Sequence, residues 1–158
     1  MKIRQFTEDD ERITRAWLTP DMLHKITTGS ADTSKPSLLV MIDTDDDIPV
    51  GMMELSSIDY TNLNARFGIM IADSSKGSRF FLRAVKTFLK RCFEDLELHK
   101  IYLRVPADNE HALKVNRYFG FVEEGVDRGC VYRNGKFKDI VVMSMTAEEF
   151  EGKCQKWA

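Results

Sequence analysis

A short segment in the middle of the chain has the residue types of an anion-binding site. Residues 73–79 read D-S-S-K-G-S-R and precede a run with helical periodicity. The start of a helix offers unpaired N–H groups and about half a positive charge, which suits a phosphate. Gly77 permits close approach of the backbone, and Lys76 and Arg79 add positive charge. The segment is therefore a candidate phosphate site, although a plain turn before a helix is the favoured interpretation of this loop taken alone.

A second candidate lies at residues 105–112, where another predicted strand gives way to a helix. Sheets that contain parallel strands bind ligands outside the carboxyl ends of those strands, at the points where helices begin. Both segments follow a predicted strand and precede a predicted helix. We therefore expect ligand contacts at both places.

The elements that position these segments follow from the spacing of apolar residues. Alternation predicts strands, and recurrence every three or four residues predicts helices. The predicted strands are residues 2–6, 37–43, 50–57, 62–72, 100–105, 121–124 and 139–145, and the predicted helices are 8–18, 19–26, 78–96, 109–119 and 146–156. This order predicts an α+β (mixed α/β) fold in which helices flank one mixed sheet.

Local signals mark several element ends. Thr7 precedes three acids and Thr146 precedes Glu149 by three residues, both of which are typical of helix starts. Gly120 suits the left-handed position after a helix, and Asn134-Gly135 predicts a tight hairpin.

Composition excludes several classes of protein. A chain of 158 residues fits a single domain, 1–158, and its net charge of −2 argues against nucleic-acid binding. The apolar runs are too short to cross a bilayer, and the first residues do not read as a signal peptide. The three cysteines are Cys92, Cys130 and Cys154. Their odd number and wide spacing favour neither a disulfide framework nor a metal site, so we expect a cytoplasmic protein without a metal.

An ordered set of short motifs carries a family resemblance. The motifs are FEDLELHKI at 93–101, LRV at 103–105, N-x-x-A-L at 109–113, G-F-x-E-E-G at 120–125, N-G-K-F-x-D at 134–139 and M-S-M at 143–145, with GMMEL at 51–55, IDY at 58–60 and ARFGI at 65–69 upstream. Together they resemble the GNAT acyltransferases, in the branch that includes ribosomal-protein N-terminal and spermidine acetyltransferases. The resemblance implies the GNAT fold, a mostly antiparallel sheet of about seven strands with one splayed pair.

The resemblance also implies acetyl-CoA as co-substrate and assigns residues to it. It implies that the backbone of Ile69, Met70 and Ile71 pairs with the pantetheine arm. It places the pyrophosphate on the amides of Lys76, Gly77, Ser78, Arg79 and Phe80. It implies that Asn109 touches the cofactor arm and that Ala112 packs behind it.

Two departures from the family pattern concern this site. Arg79 and Phe81 stand where the family has further glycines, which narrows the approach to a phosphate, although Arg79 could compensate by a charged contact. Many members carry a tyrosine where this chain has Asn116, and Tyr118 faces another side of the helix. Asn116 can hydrogen-bond the departing sulfur but is a poor proton donor.

Acetyl transfer requires a neutral amine and a polarised carbonyl. Glu54, in a predicted strand, is the candidate general base, and a surface glutamate that points outward is the equally weighted alternative. A backbone N–H near Ile71 is the candidate polarising group. Asp59 and Tyr60 could line the amine pocket, but a solvated loop is the favoured interpretation.

The sequence leaves the acceptor open. An amino sugar nucleotide, a polyamine, a small amine and a protein N-terminus all fit a direct attack in a ternary complex. The acidic turn at 43–47 could attract a polycation, although a solvated hairpin tip is the favoured interpretation. A degenerate domain that binds CoA without turnover is the alternative, and Arg79, Phe81 and Asn116 favour it. We expect an amine acceptor as partner, neither nucleic acid nor membrane, with a homodimer among the possible assemblies.

Overall fold

The computed structural model describes residues 1–17, 34–72 and 79–157. Seven strands form one sheet: β1 Lys2–Gln5, β2 Leu38–Asp43, β3 Pro49–Asp59, β4 Asn64–Ile71, β5 Lys100–Pro106, β6 Val122–Arg133 and β7 Lys136–Thr146. The described helices are α1 Glu8–Trp17, α2 Arg79–Lys90, α3 Glu110–Phe119 and α4 Ala147–Trp157, with a π-helical turn Arg91–Asp95 directly after α2. The strand order across the sheet is β1-β2-β3-β4-β5-β7-β6.

One pair of neighbouring strands differs from the rest. Every pair in the sheet is antiparallel except β4 and β5, which run parallel. This pair is short, because it covers only Asn64–Arg66 on β4 and Lys100–Tyr102 on β5. Both strands continue beyond that point, to Ile71 and Pro106. The two strands therefore diverge, and a cleft opens between their carboxyl ends, as the predicted splayed pair requires.

One face of the sheet, the core face, is apolar and packs against helices. Phe67 on β4 lies 5.8 Å, between ring centroids, from Phe88 of α2. Phe119 of α3 contacts Phe81 of α2 at 6.0 Å and Trp157 of α4 at 6.2 Å. The buried cluster joins all three helices to the strands. Burial of these large rings holds the two halves of the sheet together below the cleft.

The other face, over β3–β7, carries the alternate residues of the same strands, and we call it the polar face. Because successive side chains of a strand point to opposite sides, Ala65 and Phe67 lie on the core face and Arg66 lies on the polar face. The same alternation on β5 buries Ile101 and Leu103 and leaves Tyr102 half-buried on the polar face. The polar face of β4 and β5 is therefore where chemistry-bearing side chains meet.

The predicted order of elements is confirmed over the described residues, with two corrections of extent. The helix at 78–96 is wrong as one α-helix, because the α-helix ends at Lys90 and widens into the π-helical turn that follows. The strand at 121–124 is too short, because β6 pairs with β7 as far as Arg133. Register shifts in β6 break its alternation, which hid the strand from the sequence pattern. The predicted helix 19–26 lies outside the described residues.

The capping signals are confirmed at the end of the chain. The backbone N–H of Thr146 donates to Glu149 Oε2 at 2.9 Å, and the N–H of Glu149 donates to Thr146 Oγ1 at 3.3 Å. This is a reciprocal capping box that satisfies two otherwise unpaired N–H groups. Gly120 ends α3 with a φ of 103°, a conformation that favours glycine.

Candidate active site

The cleft begins at one row of side chains that crosses the sheet. Arg66 of β4 and Tyr102 of β5 are the last paired residues of the two parallel strands. In the same row, Ser56 of β3 lies beside Arg66, and Ser144 of β7 lies beside Tyr102. Two residues further along their strands, Gly68 of β4 and Arg104 of β5 lie on opposite sides of the cleft. We call the polar-face residues at this point, Glu54, Arg66, Tyr102 and Arg104, the apex cluster.

Glu54 reaches the cleft because its neighbour has no side chain. Glu54 on β3 pairs with Gly68 on β4, and both lie on the polar face. The Oε2 atom of Glu54 lies 3.7 Å from the point where a Cβ of Gly68 would stand. The carboxylate therefore occupies the space above Gly68, next to the diverging edge of β4. The Glu54 side chain is half-buried, so it is neither enclosed in the core nor a fully exposed surface glutamate.

Arg66 occupies an electrostatically unfavourable position. Burial lowers the pKa of Arg66 because a charged guanidinium loses hydration, and the positive charge of Arg104 lowers it further. Glu54 and Tyr102 act in the opposite direction but do not compensate. The surroundings of Arg66 therefore disfavour its positive charge, which is a common property of binding sites.

Two ion pairs border the apex cluster on the β6 side. Arg104 contacts Asp127 of β6 through its Nη1 atom, and its side chain is 26% exposed. Lys100 contacts Glu124, which also accepts a hydrogen bond of 2.7 Å from the Ser144 hydroxyl. The Lys100 ammonium and that hydroxyl lower the pKa of Glu124. These contacts hold the basic side chains of β5 in fixed positions.

The strand assigned to the pantetheine arm has one edge turned to the cleft. Ile69, Met70 and Ile71 pair with β3 on one side. On the other side, the pairing of β4 with β5 ends at Arg66. None of the described strands therefore pairs with the backbone of Ile69–Ile71 on the side that faces the cleft. A ligand amide could complete such a ladder, because an open strand edge presents alternating N–H and C=O groups.

Asn109 and Ala112 meet at the start of α3, beside the carboxyl end of β5. Asn109 is the N-cap residue, and its side-chain oxygen accepts a hydrogen bond of 3.2 Å from the Ala112 N–H. The cap leaves the amide NH₂ of Asn109 as its donor group. The structure thus joins the two predicted residues and gives Asn109 a structural role that the resemblance did not imply.

Asn116 lies one turn further along the same stripe of α3 as Ala112, because residues four apart in a helix face the same way. Its side chain is half-buried, whereas Tyr118 is 50% exposed. The interpretation that Tyr118 faces another side of the helix agrees with this difference.

The phosphate segment is described only at its end. Lys76, Gly77 and Ser78 lie outside the described residues. Arg79 is the first residue of α2, and Phe80 follows it with 40% of its surface exposed.

Three of the four carboxylates at residues 43–47 contact the N-terminal strand. Asp43 is buried and accepts a hydrogen bond of 2.5 Å from Arg4 Nε. The N-terminal amine contacts Asp45, and Lys2 contacts Asp47. These partners compete with any polycation, so the contacts agree with the structural interpretation of the turn.

The β3–β4 loop is held by its own hydrogen bonds. Asp59 accepts bonds from the N–H groups of Thr61 and Asn62, at 3.0 and 2.9 Å, and pairs with Lys35. The Lys35 ammonium and these donors hold the pKa of Asp59 well below its usual range. Tyr60 is 59% exposed. The loop therefore has a sufficient structural explanation without an amine ligand.

Among residues 1–17, 34–72 and 79–157, no group of three or more His, Cys, Asp or Glu side chains could hold a metal ion. No helix in this part of the chain is long and apolar enough to cross a membrane.

Sequence reasoning named Glu54 but missed the other three members of the apex cluster. The signal was present in β5, where Lys100, Tyr102 and Arg104 alternate with buried residues. Alternation shows that three polar residues share a face, but it does not show that Arg66 and Glu54 lie next to them. That proximity comes from the pairing of β4 with β5 and β3.

Comparisons with known proteins agree with this architecture. Residues 1–122 match the family model described as an Acetyltransferase (GNAT) domain. Spermidine N(1)-acetyltransferase of Vibrio cholerae is 34% identical over 101 residues, which cover 64% of this chain and 58% of the relative. YdaF of Bacillus subtilis, provisionally named a ribosomal N-acetyltransferase, is 33% identical over 103 residues, which cover 65% of this chain and 56% of the relative. The matches to these curated relatives thus span a little more than half of their length.

A solved structure shows the same fold over nearly the whole chain. Spermidine N-acetyltransferase from Vibrio cholerae, in complex with CoA and spermine, superimposes with a TM-score of 0.84 at 22% identity. The superposition covers 95% of this chain and 97% of that one. From the family match, the seven-stranded sheet and the cleft between its two parallel strands, we conclude that this chain belongs to the GNAT acetyltransferase family.

Proposed function

We propose that the protein transfers an acetyl group from acetyl-CoA to a primary amine, by direct attack in a ternary complex. The observation that carries the proposal is the cleft between β4 and β5, with a carboxylate, Glu54, at its apex on the polar face. Family membership supports the choice of co-substrate.

The residues on the cofactor side fit acetyl-CoA. The edge of β4 at Ile69–Ile71 offers backbone groups to the amides of the pantetheine arm, and the Asn109 amide offers a donor at the start of α3. Arg79 opens α2, so the residues before it, with Lys76 and Gly77, are the proposed pyrophosphate contacts. When bound, the co-substrate supplies an activated acetyl group. The protein holds that group in place, and a backbone N–H near Ile71 would polarise the thioester carbonyl.

The residues on the acceptor side fit the removal of a proton. Alkyl ammonium groups have a pKa of about 10.4, so they carry a proton at neutral pH and must lose it before attack. Glu54 is the proposed acceptor of that proton, directly or through water. Asn116 is proposed to donate a hydrogen bond to the sulfur from α3, in place of the tyrosine that many family members have.

The core face is closed by α2, α3 and α4, so an acceptor reaches the apex cluster from the polar face. Three relatives are named spermidine acetyltransferases, which supports a small-molecule amine as acceptor; a peptide N-terminus is the other candidate class. We also propose that residues 1–158 act as one domain in the cytoplasm, with a homodimer as the assembly to test.

The experiment measures CoA thiol release from acetyl-CoA in the presence of a panel of primary amines. We expect turnover with at least one member, and N-acetylation of that amine by mass spectrometry. A parallel thermal-shift measurement with acetyl-CoA alone tests binding. A ligand at 100 times its Kd adds about 2.7 kcal/mol to the free energy of unfolding, which is a shift of several degrees.

The two measurements separate the outcomes. A thermal shift without turnover across a wide panel would contradict the enzyme and support a domain that binds CoA without catalysis. No thermal shift at saturating acetyl-CoA would contradict the proposed co-substrate itself.

A further inference from the structure

We propose that Arg66 and Arg104 select an acceptor amine that also carries an anionic group, a carboxylate or a phosphate, rather than a polyamine. This inference rests on the proposed function, because it names the substrate class of the same site. Its support comes from the position of the two arginines, their chemistry and their electrostatic surroundings.

Position is the first argument. Arg66 stands at the point where β4 and β5 part, and Arg104 stands two residues further along β5 on the same face. Glu54 lies on the same side of the cleft as Arg66, above Gly68 and opposite Arg104. An amine that meets Glu54 therefore has two guanidinium groups within reach of the rest of its structure. The acceptor would present its nitrogen to Glu54 and its anionic group to the two guanidinium groups.

Geometry is the second argument. A guanidinium is a planar fork of donors that matches a carboxylate or a phosphate with two parallel hydrogen bonds. Arg104 Nη1 contacts Asp127 and Nη2 lies 3.5 Å from Cys130 Sγ, and these contacts hold the guanidinium in place before a ligand arrives. A positioned donor loses less entropy on binding than a mobile one, which favours recognition at this point.

Electrostatics is the third argument. Burial and the neighbouring positive charge of Arg104 both lower the pKa of Arg66, and Glu54 only partly opposes them. An anionic ligand group would favour the charged forms of both arginines, whereas a polyamine would add further positive charge beside them.

The acidic residues elsewhere do not reverse this preference. Asp45, Asp47 and Asp43 contact the N-terminal amine, Lys2 and Arg4 in that order. Glu124 and Asp127 contact Lys100 and Arg104. The apex cluster, as far as the structure describes it, contains one carboxylate, Glu54, and one carboxylate does not make a polycation site.

The test compares amines in matched pairs that differ by an anionic group. The pairs are ethanolamine with O-phosphoethanolamine, glucosamine with glucosamine 6-phosphate, and pentane-1,5-diamine with lysine; spermidine is the polycation. We expect the better anionic member to exceed its partner by about ten-fold or more in kcat/KM, chiefly through KM. The phosphate pairs and the carboxylate pair show which anion the site takes.

Variants assign the preference to the arginines. Arg66→Met keeps an unbranched apolar stem and removes the charge, so we expect it to abolish most of the anion preference, measured as the ratio of kcat/KM between the two members of a pair. Arg66→Lys keeps the charge without the fork, and we expect an intermediate preference. Arg91→Gln is the matched control, because Arg91 is exposed in the π-helical turn at the far end of α2 from the cleft.

Binding provides a readout that needs no turnover. In the presence of CoA, the anionic member of a pair should raise the melting temperature of the wild type more than the neutral member, and Arg66→Met should lose the difference. Melting curves of the variants without ligand establish that each one is folded, and Arg104→Gln serves as the second variant if Arg66→Met is not.

Equal binding and equal kcat/KM within every pair, or a preference for spermidine, would overturn the inference and leave the proposed function standing if any amine is turned over. Discrimination in binding without turnover would support the inference and contradict the proposed enzyme.

Discussion

The reactive position of Glu54 depends on the residue across from it. Gly68 leaves an open space on the polar face of β4, and the Glu54 carboxylate occupies it at the edge of the cleft. Arg66 lies in the next polar-face position of β4 and interacts electrostatically with this carboxylate. The same glutamate beside a large side chain would be directed away from the diverging edge.

This placement predicts a base whose effect depends on pH. Glu54→Gln should lower kcat/KM for an alkyl amine by about 100-fold at pH 7, because a general base contributes ~10²–10⁴-fold. The deficit should shrink as the pH rises toward the pKa of the amine, since solvent then supplies the neutral form. Initial rates between pH 6 and 10 with saturating acetyl-CoA measure this.

Glu94→Gln, on the exposed surface of the π-helical turn, is the control and should match the wild type. A deficit that is equal at every pH and appears in the KM of the acceptor would contradict a role as base and indicate positioning.

At the scale of elements, the start of α3 combines a helix cap with a ligand donor. Asn109 uses its side-chain oxygen to cap Ala112, and its NH₂ group is the proposed contact with the cofactor arm. A single amide thus serves both the helix and the co-substrate. The two roles can be separated because they use different atoms.

Three substitutions at this position distinguish the roles. Asn109→Ser and Asn109→Asp keep a capping oxygen and should change the free energy of unfolding little, whereas Asn109→Ala should lower it by about 1 kcal/mol. All three remove the amide donor, so all three should weaken acetyl-CoA binding. Asn109→Asp should weaken it most, because its carboxylate repels a polyanionic ligand.

Urea denaturation measures the first effect, and titration calorimetry with acetyl-CoA measures the second. Unchanged affinity in Asn109→Ser would show that the amide does not contact the co-substrate.

At the scale of the whole molecule, a buried ion network ties the first strand and helix to the sheet. Arg4 of β1 donates to Asp10 of α1 at 2.7 and 2.8 Å and to Asp43 of β2 at 2.5 Å. Both carboxylates are 3% exposed and Arg4 is 38% exposed. The Arg4 guanidinium and the Thr7 donors hold the pKa of Asp10 well below its usual range, despite its burial.

A lowered pKa in the folded state makes this network sensitive to acid. Its contribution is fully present above the unfolded pKa of about 3.9 and is lost as the pH falls toward the lower folded value. Asp10→Asn should lower the free energy of unfolding by about 3 kcal/mol at pH 7, the low end of the range for a broken buried pair, because Arg4 is partly exposed. The difference from the wild type should shrink below pH ~4.

Urea denaturation between pH 2.5 and 7 measures both curves. Glu11→Gln, on the exposed side of α1, is the control and should change the free energy by less than about 0.5 kcal/mol. Parallel curves for Asp10→Asn and wild type would contradict the linkage.

The elements of this protein could be predicted from local signals. The period of apolar residues in α2, the capping box at Thr146 and the glycine at the end of α3 all act within a few residues, so the sequence displays them directly. Where alternation fails, as in β6 with its register shifts, the prediction of the strand was too short. The extent of a strand then depends on its partner.

The sequence by itself determined the order of elements, the apolar and polar faces of each strand, the family and the candidate base Glu54. Only the tertiary structure decided that β4 and β5 part after Arg66 and Tyr102, and that Glu54 and Arg104 stand on opposite banks of the opening. The reason is physical: a side-chain period is set by the strand that carries it, but strand pairing joins residues more than 30 positions apart. The point at which β4 and β5 stop pairing depends on the burial of the whole core. The apex cluster forms because the two strands separate after Arg66 and Tyr102.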